Sequence, residues 1–577
     1  MAMIPQAEGA GDKPWRPEDE RTERRAPPSG PDWRQPTGWV DSLRLESASE
    51  TRAYWAGVLL VVAGLFVTKL LPCVDYPQHL ALADVARRLV DPGSPDHARY
   101  VLNYFTYNGL FHFVVAWLAV HVPIETAGRL IVAASLLAMA GALVALTRAV
   151  GRPPIHAALF TPVLFSFSLG WGFVNYVLAT AIAAWTLVFV ARAAVRPSVL
   201  SVGAVGVLGA LCAFAHVLAM LILCAFAAAL APELAWRAAG SAGGRLRRAA
   251  VAVWHAFLAA APLLAGCAFC VAVYRVEYPW DPGMYRDPTI EGSAPPIWQK
   301  AVWFGAYATD LFGDGTDQVL VWVAVVVMAC AGRLAWKARR ERAATAGESP
   351  PILAPFVVMT GAYLVTPMVL IGTHLIFPRL AQWAVLGAVL ATPRFPPRWE
   401  GTARAWIGRL GVVVGMNTVV HCGLFAIETS DASATIDDLP PGGAVTAVIW
   451  DPWTFAFRNG TLTHLAAYYA ARKHGQWAFA FARYLSVPVR FRPGAQPAWP
   501  ARGWEFDAES YDPRCKYARA FPLVIVKAPE QLPRDESGED LVRSLVFKQD
   551  RDAVRLLSHH GRYWAFDTTG LADDGTL

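Results

Sequence analysis

Along residues 54–427, long unbroken blocks of apolar residues alternate with short polar connections that carry arginines. The blocks lie near 54–71, 125–147, 155–169, 171–191, 198–214, 217–236, 250–273, 317–336, 353–373, 377–392 and 406–427. Each approaches the roughly 20 residues that carry a helix across a bilayer core. They predict about eleven transmembrane helices, several short enough to be broken or paired half-spans. LFHFVVAWLAVHV, over 110–122, is equally apolar, but a stretch of about 13 residues is too short to cross comfortably. It reads as a helix lying on the outer membrane surface.

The pattern changes at both ends. Residues 1–52 are polar, Pro-rich and densely charged, with no apolar signal-peptide core, and read as a disordered cytoplasmic tail. After residue 427, GGAVTAVIWDP reads as a buried strand and THLAAYYAARKHG as a helix ending near Gly475. VPVRF, FPLVIVKAP and RYWAFD read as further strands. The expected fold is an α-helical polytopic membrane protein with a small external α/β domain at its C-terminus. Its parts are a tail over 1–52, a membrane domain over 53–427 with an external loop over 72–124, and the α/β domain over 428–577.

Composition narrows the class. Of 577 residues, 55% are hydrophobic and only 17% charged, against about 25% charged in a typical soluble domain. That excludes disorder, collagen and a disulfide scaffold as the whole-chain description. The net charge of +6 is scattered over loops and does not form a nucleic-acid patch. Basic residues gather at Arg148/Arg152, Arg192/Arg196, Arg245/Arg247/Arg248, 333–342 and 394–409. Placing all of them in the cytoplasm puts 72–124, the turns near 170, 215 and 375, the loop 275–316 and everything after about 428 outside. That loop carries Glu277, Asp281, Asp287, Glu291, Asp310 and Asp314. Abundant alanine and an excess of arginine over lysine suggest a GC-rich bacterial genome, hence a multi-pass protein of the inner (plasma) membrane with a periplasmic C-terminal domain. Cys267 and Cys270 have C-x-x-C spacing but sit inside LLAGCAFCVAV, where packing is the better reading.

Candidate chemistry clusters on the predicted external side. Asp75 follows the first span in LPCVDYPQHLALADVARRLV. The bland reading makes it a helix cap, with Pro77 in the first turn and Gln78 at the capping-box position. The functional reading makes it a rigidly held general base, with His79 one turn on. Trp171 and Asn175 lie in SLGWGFVNYV, His216 in CAFAHVLAM, and His374 and Arg379 in GTHLIFPRLAQW. Polar groups beside spans are costly and tend to be functional, although each alone is commonly structural. Arg379 needs an anion, and phosphate is its best geometric match. Asp75 and His79 make only two metal ligands where a divalent ion wants more, so a divalent metal stays open but unsupported, and no other cofactor is expected. The adjacent His559 and His560 read as surface residues.

The order of these features resembles the GT-C superfamily of membrane glycosyltransferases, in the manner of its dolichyl- or polyprenyl-phosphate-mannose enzymes and their uncharacterised bacterial relatives. The likeness rests on Asp75 in VDYPQHLA, on the loop YNGLFHFVVAWLAV leading to Arg129 and the second span, and on Arg379 in FPRLAQWAVLGAVL. It departs from the pair of adjacent acids common there, since Tyr76 follows Asp75. The resemblance implies an inverting transfer of a sugar from a polyprenyl-phosphate donor to an acceptor hydroxyl at the external face. Asp75 would be the base, with His79 orienting it or binding phosphate. Arg379 would sit on the leaving phosphate and Trp171 on the sugar face, with His374, Asn175 and His216 binding substrate. The partners implied are membrane lipid, that donor and a glycan, lipid or protein acceptor, with no nucleic acid. The alternatives are a non-catalytic scaffold that binds a partner through its C-terminal domain and, less favoured, a transporter or flippase, for which no inverted repeat is visible.

Overall fold

A computed structural model describes residues 43–240, 244–277, 292–341, 351–370, 373–484, 487–497, 499–500 and 503–571. Most of the expected tail and the acidic residues Asp281, Asp287 and Glu291 lie outside the described residues. The chain is mainly helical, at 65%, with a small sheet near its C-terminus.

The helical part contains α1 (Ala48–Val67), α2 (Tyr76–Arg88), α3 (Leu110–Leu118), α4 (Ile124–Ala149), α5 (Val174–Val195), α6 (Val199–Ala215) and α7 (Val217–Ala238). It continues with α8 (Gly244–Ala260), α9 (Leu263–Glu277), α10 (Thr316–Glu341), α11 (Ala354–Val365), α12 (Ile376–Ala391) and α13 (Pro397–Glu428). Helix α1 starts at Ala48, inside the tail expected over 1–52. Among the described residues six helices (α1, α4, α5, α7, α10 and α13) are long and apolar enough to span a bilayer. The pair α8–α9, bent by 44° at Pro262, makes a seventh if it is one span. The expected count of about eleven is not confirmed. The block at 155–169 is a 3-10 helix over Pro154–Val163 that carries a second proline at Pro162, which removes a donor from any longer helix. The blocks in α6, α11 and α12 form helices of 17, 12 and 16 residues. The surface segment forms α3, nine residues long.

Helices α1 and α13 pack at backbone distance. A Cβ on Gly57 would stand 2.4 Å from the Gly411 carbonyl oxygen, so glycine is what permits the approach. This pairing anchors the start of the chain to the helix that leads into the C-terminal domain.

That domain opens with α14 (Ser430–Asp438) and builds a five-stranded sheet from β2 (Ala444–Ile449), β3 (Gln476–Trp477), β5 (Leu523–Lys527), β6 (Arg555–His560) and β7 (Tyr563–Asp567), in the order β3-β2-β5-β7-β6. Strands β3, β2 and β5 are parallel; β7 and β6 are antiparallel. The β2–β3 crossover is α15 (Leu465–Lys473). Residues alternate strictly between two cores. Val445, Ala447, Ile449, Ile525 and Ala565 join the core continuous with the helical body. Val448, Val524, Val526, Trp564 and Phe566 join a core of the domain's own. A sheet buried on both faces explains why its strands read as unbroken apolar runs. A two-stranded ribbon ties the loop after α2 to this domain: β1 (Tyr100–Leu102) pairs antiparallel with β4 (Val489–Phe491), Tyr100 opposite Phe491.

Candidate active site

Asp75 stands at the N-terminus of α2. Its backbone is fixed by a neighbouring turn: Val74 N–H donates to the Gly170 carbonyl at 2.9 Å and Asp75 N–H to that of Trp171 at 3.0 Å. The turn needs a glycine next. Gly172 has φ +78°, and a Cβ there would lie 2.5 Å from the Asp75 nitrogen.

The helix-cap reading of Asp75 fails. Its dihedrals are helical, and its side chain makes no bond to the first turn, so the carboxylate is free to face elsewhere. Gln78 is no capping-box partner either. Its Oε1 accepts from Trp477 Nε1 at 2.7 Å and Phe481 N–H at 3.2 Å, and its Nε2 donates to the Phe479 carbonyl at 3.1 Å. Pro77 does occupy the first turn.

The carboxylate faces the C-terminal domain. His464, just before α15, places Nε2 3.2 Å from Asp75 Oδ1 and Nδ1 2.8 Å from Glu505 Oε1. Its side chain is 4% exposed, against 17% for Asp75 and 11% for Glu505. Burial alone would discharge this ring, but Glu505 and Asp75 outweigh it and push its pKa up to about 10. His464 is therefore an imidazolium that donates to a carboxylate on each side, and Asp75 keeps Oδ2 for other work. Neither His464 nor Glu505 was legible as a site residue. They lie 389 and 430 positions after Asp75 in the numbering, and THL and GWEF match no motif.

His79 does not orient Asp75. Its Nδ1 lies 3.0 Å from His112 Nε2, and His112 Nδ1 lies 3.0 Å from the Asn108 carbonyl. That carbonyl can only accept, so His112 carries its proton on Nδ1, and His79 donates from its own Nδ1. The His79 lone pair is then on Nε2. Burial, reinforced by the nearby His112, His216 and His464, holds His79 well below the ordinary histidine pKa. His216 and His464 thus lie within electrostatic reach of His79.

Arg379, in the first turn of α12, is 7% exposed. Its guanidinium lies 3.8 Å from the centre of the Phe173 ring and 5.7 Å from that of Tyr176. Nη2 donates to the His374 carbonyl at 3.2 Å, while Nε is buried without a partner. Nη1 lies 3.5 Å from His216 Nε2. His216 Nδ1, however, accepts the Leu218 N–H at 3.1 Å, so a neutral ring carries its proton on Nε2 and cannot accept from Arg379. Among the described residues no carboxylate pairs with this guanidinium. Asp75 lies close enough to act on it electrostatically.

The structure therefore sets Arg379 against His216 and Phe173, two residues after the Trp171 carbonyl that fixes Asp75, while His79 turns to His112. Trp171 contributes its carbonyl to Asp75, and its ring stacks near Phe173 with centroids 6.4 Å apart. His374 is exposed and supplies only a carbonyl. Asn175, on the first turn of α5, is buried with an unpaired Oδ1. Among the described residues no group of three or more His, Cys, Asp or Glu side chains is arranged to hold a metal ion. Asp75 and His79 turn to different partners.

The fold has solved counterparts. The crystal structure of ArnT from Cupriavidus metallidurans bound to undecaprenyl phosphate aligns over 93% of this chain and 99% of that chain, with a TM-score of 0.50 and 12% identity. The chain shares its overall fold with that ArnT. The apo-state structure of the same ArnT covers 90% of this chain and 97% of its own, at 13% identity and a TM-score of 0.49. No protein-family model and no curated protein matches the chain. At this identity, what is shared with the polytopic membrane glycosyltransferase ArnT is the fold.

Proposed function

We propose that the chain transfers a sugar from a polyprenyl-phosphate donor to an acceptor hydroxyl at the external membrane face, with inversion at the anomeric carbon. The observation that carries this reading is the buried Arg379 guanidinium, which has no carboxylate partner and has a carboxylate, Asp75, within electrostatic reach. A buried unpaired cation is costly, and a phosphate entering beside it removes that cost. Undecaprenyl phosphate, the molecule bound in one of the ArnT structures, has the chemistry this site calls for.

In the proposed step the acceptor oxygen attacks the anomeric carbon as Asp75 Oδ2 takes its proton. The carbon–oxygen bond to phosphate breaks, and its electron pair leaves with the polyprenyl phosphate, which needs no proton. General base catalysis of this kind supplies about 10²–10⁴ in rate. Arg379 stabilises charge growing on the leaving phosphate from a position already set by Phe173 and the His374 carbonyl. His464 holds Asp75 Oδ1, so the base has one free oxygen in a fixed direction. The stacked Trp171 and Phe173 rings offer a face for a sugar or for the guanidinium beside them.

The test is transfer or hydrolysis of radiolabelled polyprenyl-phosphate sugars by the purified protein. Asp75→Asn should abolish it while the melting temperature stays near that of the parent. Undiminished turnover in this variant removes Asp75 from the chemistry.

A further inference from the structure

A cavity of about 620 Å³ opens alongside α2, within the 300–1,000 Å³ usual for ligand pockets. Asp84 and Arg87 line it. They follow Asp75 by nine and twelve residues, about 14–18 Å along a helix. None of Asp75, His79, His216 and Arg379 lines this cavity, and its ligand chemistry is independent of the transferase reading.

Its charges do not balance. Lys69, Arg87, Arg129, Arg472 and Lys473 line it, against Asp84, Glu125 and Asp437. Every carboxylate is already taken. Asp84 receives Arg87 at 2.8 Å, Arg88 at 3.0 Å and His474 at 2.9 Å. Burial opposes its ionisation, but those three partners hold its carboxyl below the usual range. Glu125 and Asp437 both bind Arg472, at 2.6 and 3.0 Å. Three cations remain. The Lys69 ammonium has no partner among the described residues. Arg129 Nη2 donates to the Lys69 carbonyl, and its Nε is buried and unpartnered. Lys473 Nζ donates to the Asp437 backbone carbonyl at 2.7 Å, which does not neutralise it.

The place of these cations in the fold matters as well. Pro123, Ile124 and Glu125, where the 26-residue α4 begins, line the cavity and turn the positive end of that helix towards it. Lys69 lies two residues past the end of α1, and Arg129 is in the second turn of α4. Both helices are candidate spans, so Lys69 and Arg129 sit at the height where two spans leave the apolar layer. We propose that this cavity binds a phosphorylated ligand, a phosphate mono- or diester presented as a lipid headgroup or as free phosphate. Arginine and lysine around a helix start are the donors such an oxyanion uses.

The experiment uses the full chain in phosphate-free maltoside micelles at matched ionic strength. One arm titrates short-chain phosphatidylglycerol and the other inorganic phosphate, with saturable change in the melting temperature giving Kd. At least one arm should stabilise the protein. Response to phosphatidylglycerol alone assigns a lipid headgroup, and response to both assigns the phosphate group itself. Lys69→Ala with Arg129→Gln should raise Kd at least about tenfold. Should that pair not fold, Lys69→Glu alone, an exposed charge reversal, should do the same. No stabilisation in either arm, or equal Kd in the Lys69 variant and the parent, overturns the proposal.

Discussion

Replacing His464 by alanine tests how the base is held. The imidazolium lies 3.2 Å from Asp75 Oδ1 and 2.8 Å from Glu505 Oε1, so the variant leaves two carboxylates facing one hole. Unit charges about 4 Å apart attract by about 4 kcal/mol at an effective dielectric of 20. Removing one member of a buried pair costs about 3–5 kcal/mol, which should lower the melting temperature by several degrees. Catalytically, Asp75 Oδ1 loses the imidazolium that holds it, and Oδ2 loses its fixed direction. A displacement of about 1 Å costs about 10²-fold in rate. The assay is initial-rate transfer from a labelled polyprenyl-phosphate sugar over pH 5–9, with a melting curve for each variant. His464→Ala should lower kcat about 100-fold with KM nearly unchanged. His464→Gln, which keeps one N–H donor, should recover about tenfold of the loss. A folded His464→Ala with kcat within about twofold of the parent refutes the positioning role. If Asp75→Asn is equally active, Asp75 is not the base.

Other outcomes follow from the same geometry. His79 and His112 are neutral in the fold, His112 because burial, against the Asn108 hydrogen bond, pushes its pKa down to about 4. The unfolded chain protonates both near pH 6.5, so their contribution is present above that pH and is lost as pH falls towards about 4; His112→Asn should flatten that part of a stability–pH curve. Gly172→Ala puts a Cβ 2.5 Å from the Asp75 nitrogen at a positive φ; it should cost at least about 1–3 kcal/mol and depress turnover, read by melting and rate together. Gln78→Ala strands the buried Trp477 N–H and the Phe479 carbonyl; at about 1–3 kcal/mol per orphaned group, it should loosen the C-terminal sheet against α2, measurable as faster amide exchange in β3.

What was legible in the chain reflects the range of the forces involved. Apolar blocks and strand-like runs are local, so the membrane helices and the C-terminal sheet could be read directly. Asp75 and Arg379 could be singled out because a charge beside an apolar block is conspicuous without knowing its neighbours. The number of spans could not be read. Hydropathy does not reveal that Pro154 and Pro162 turn one block into a 3-10 helix, or that Pro262 bends another. The role of Gln78 was misread for a related reason: its spacing from Asp75 fits a capping box, but bonds to Trp477, Phe479 and Phe481 outcompete the local one. Only folding decides that His464 and Glu505 close on Asp75, that His79 turns to His112, and that Lys69 and Arg129 share a cavity. His79 and His112 are 33 positions apart and Asp75 and His464 are 389 apart, across loops whose closure local patterns do not encode.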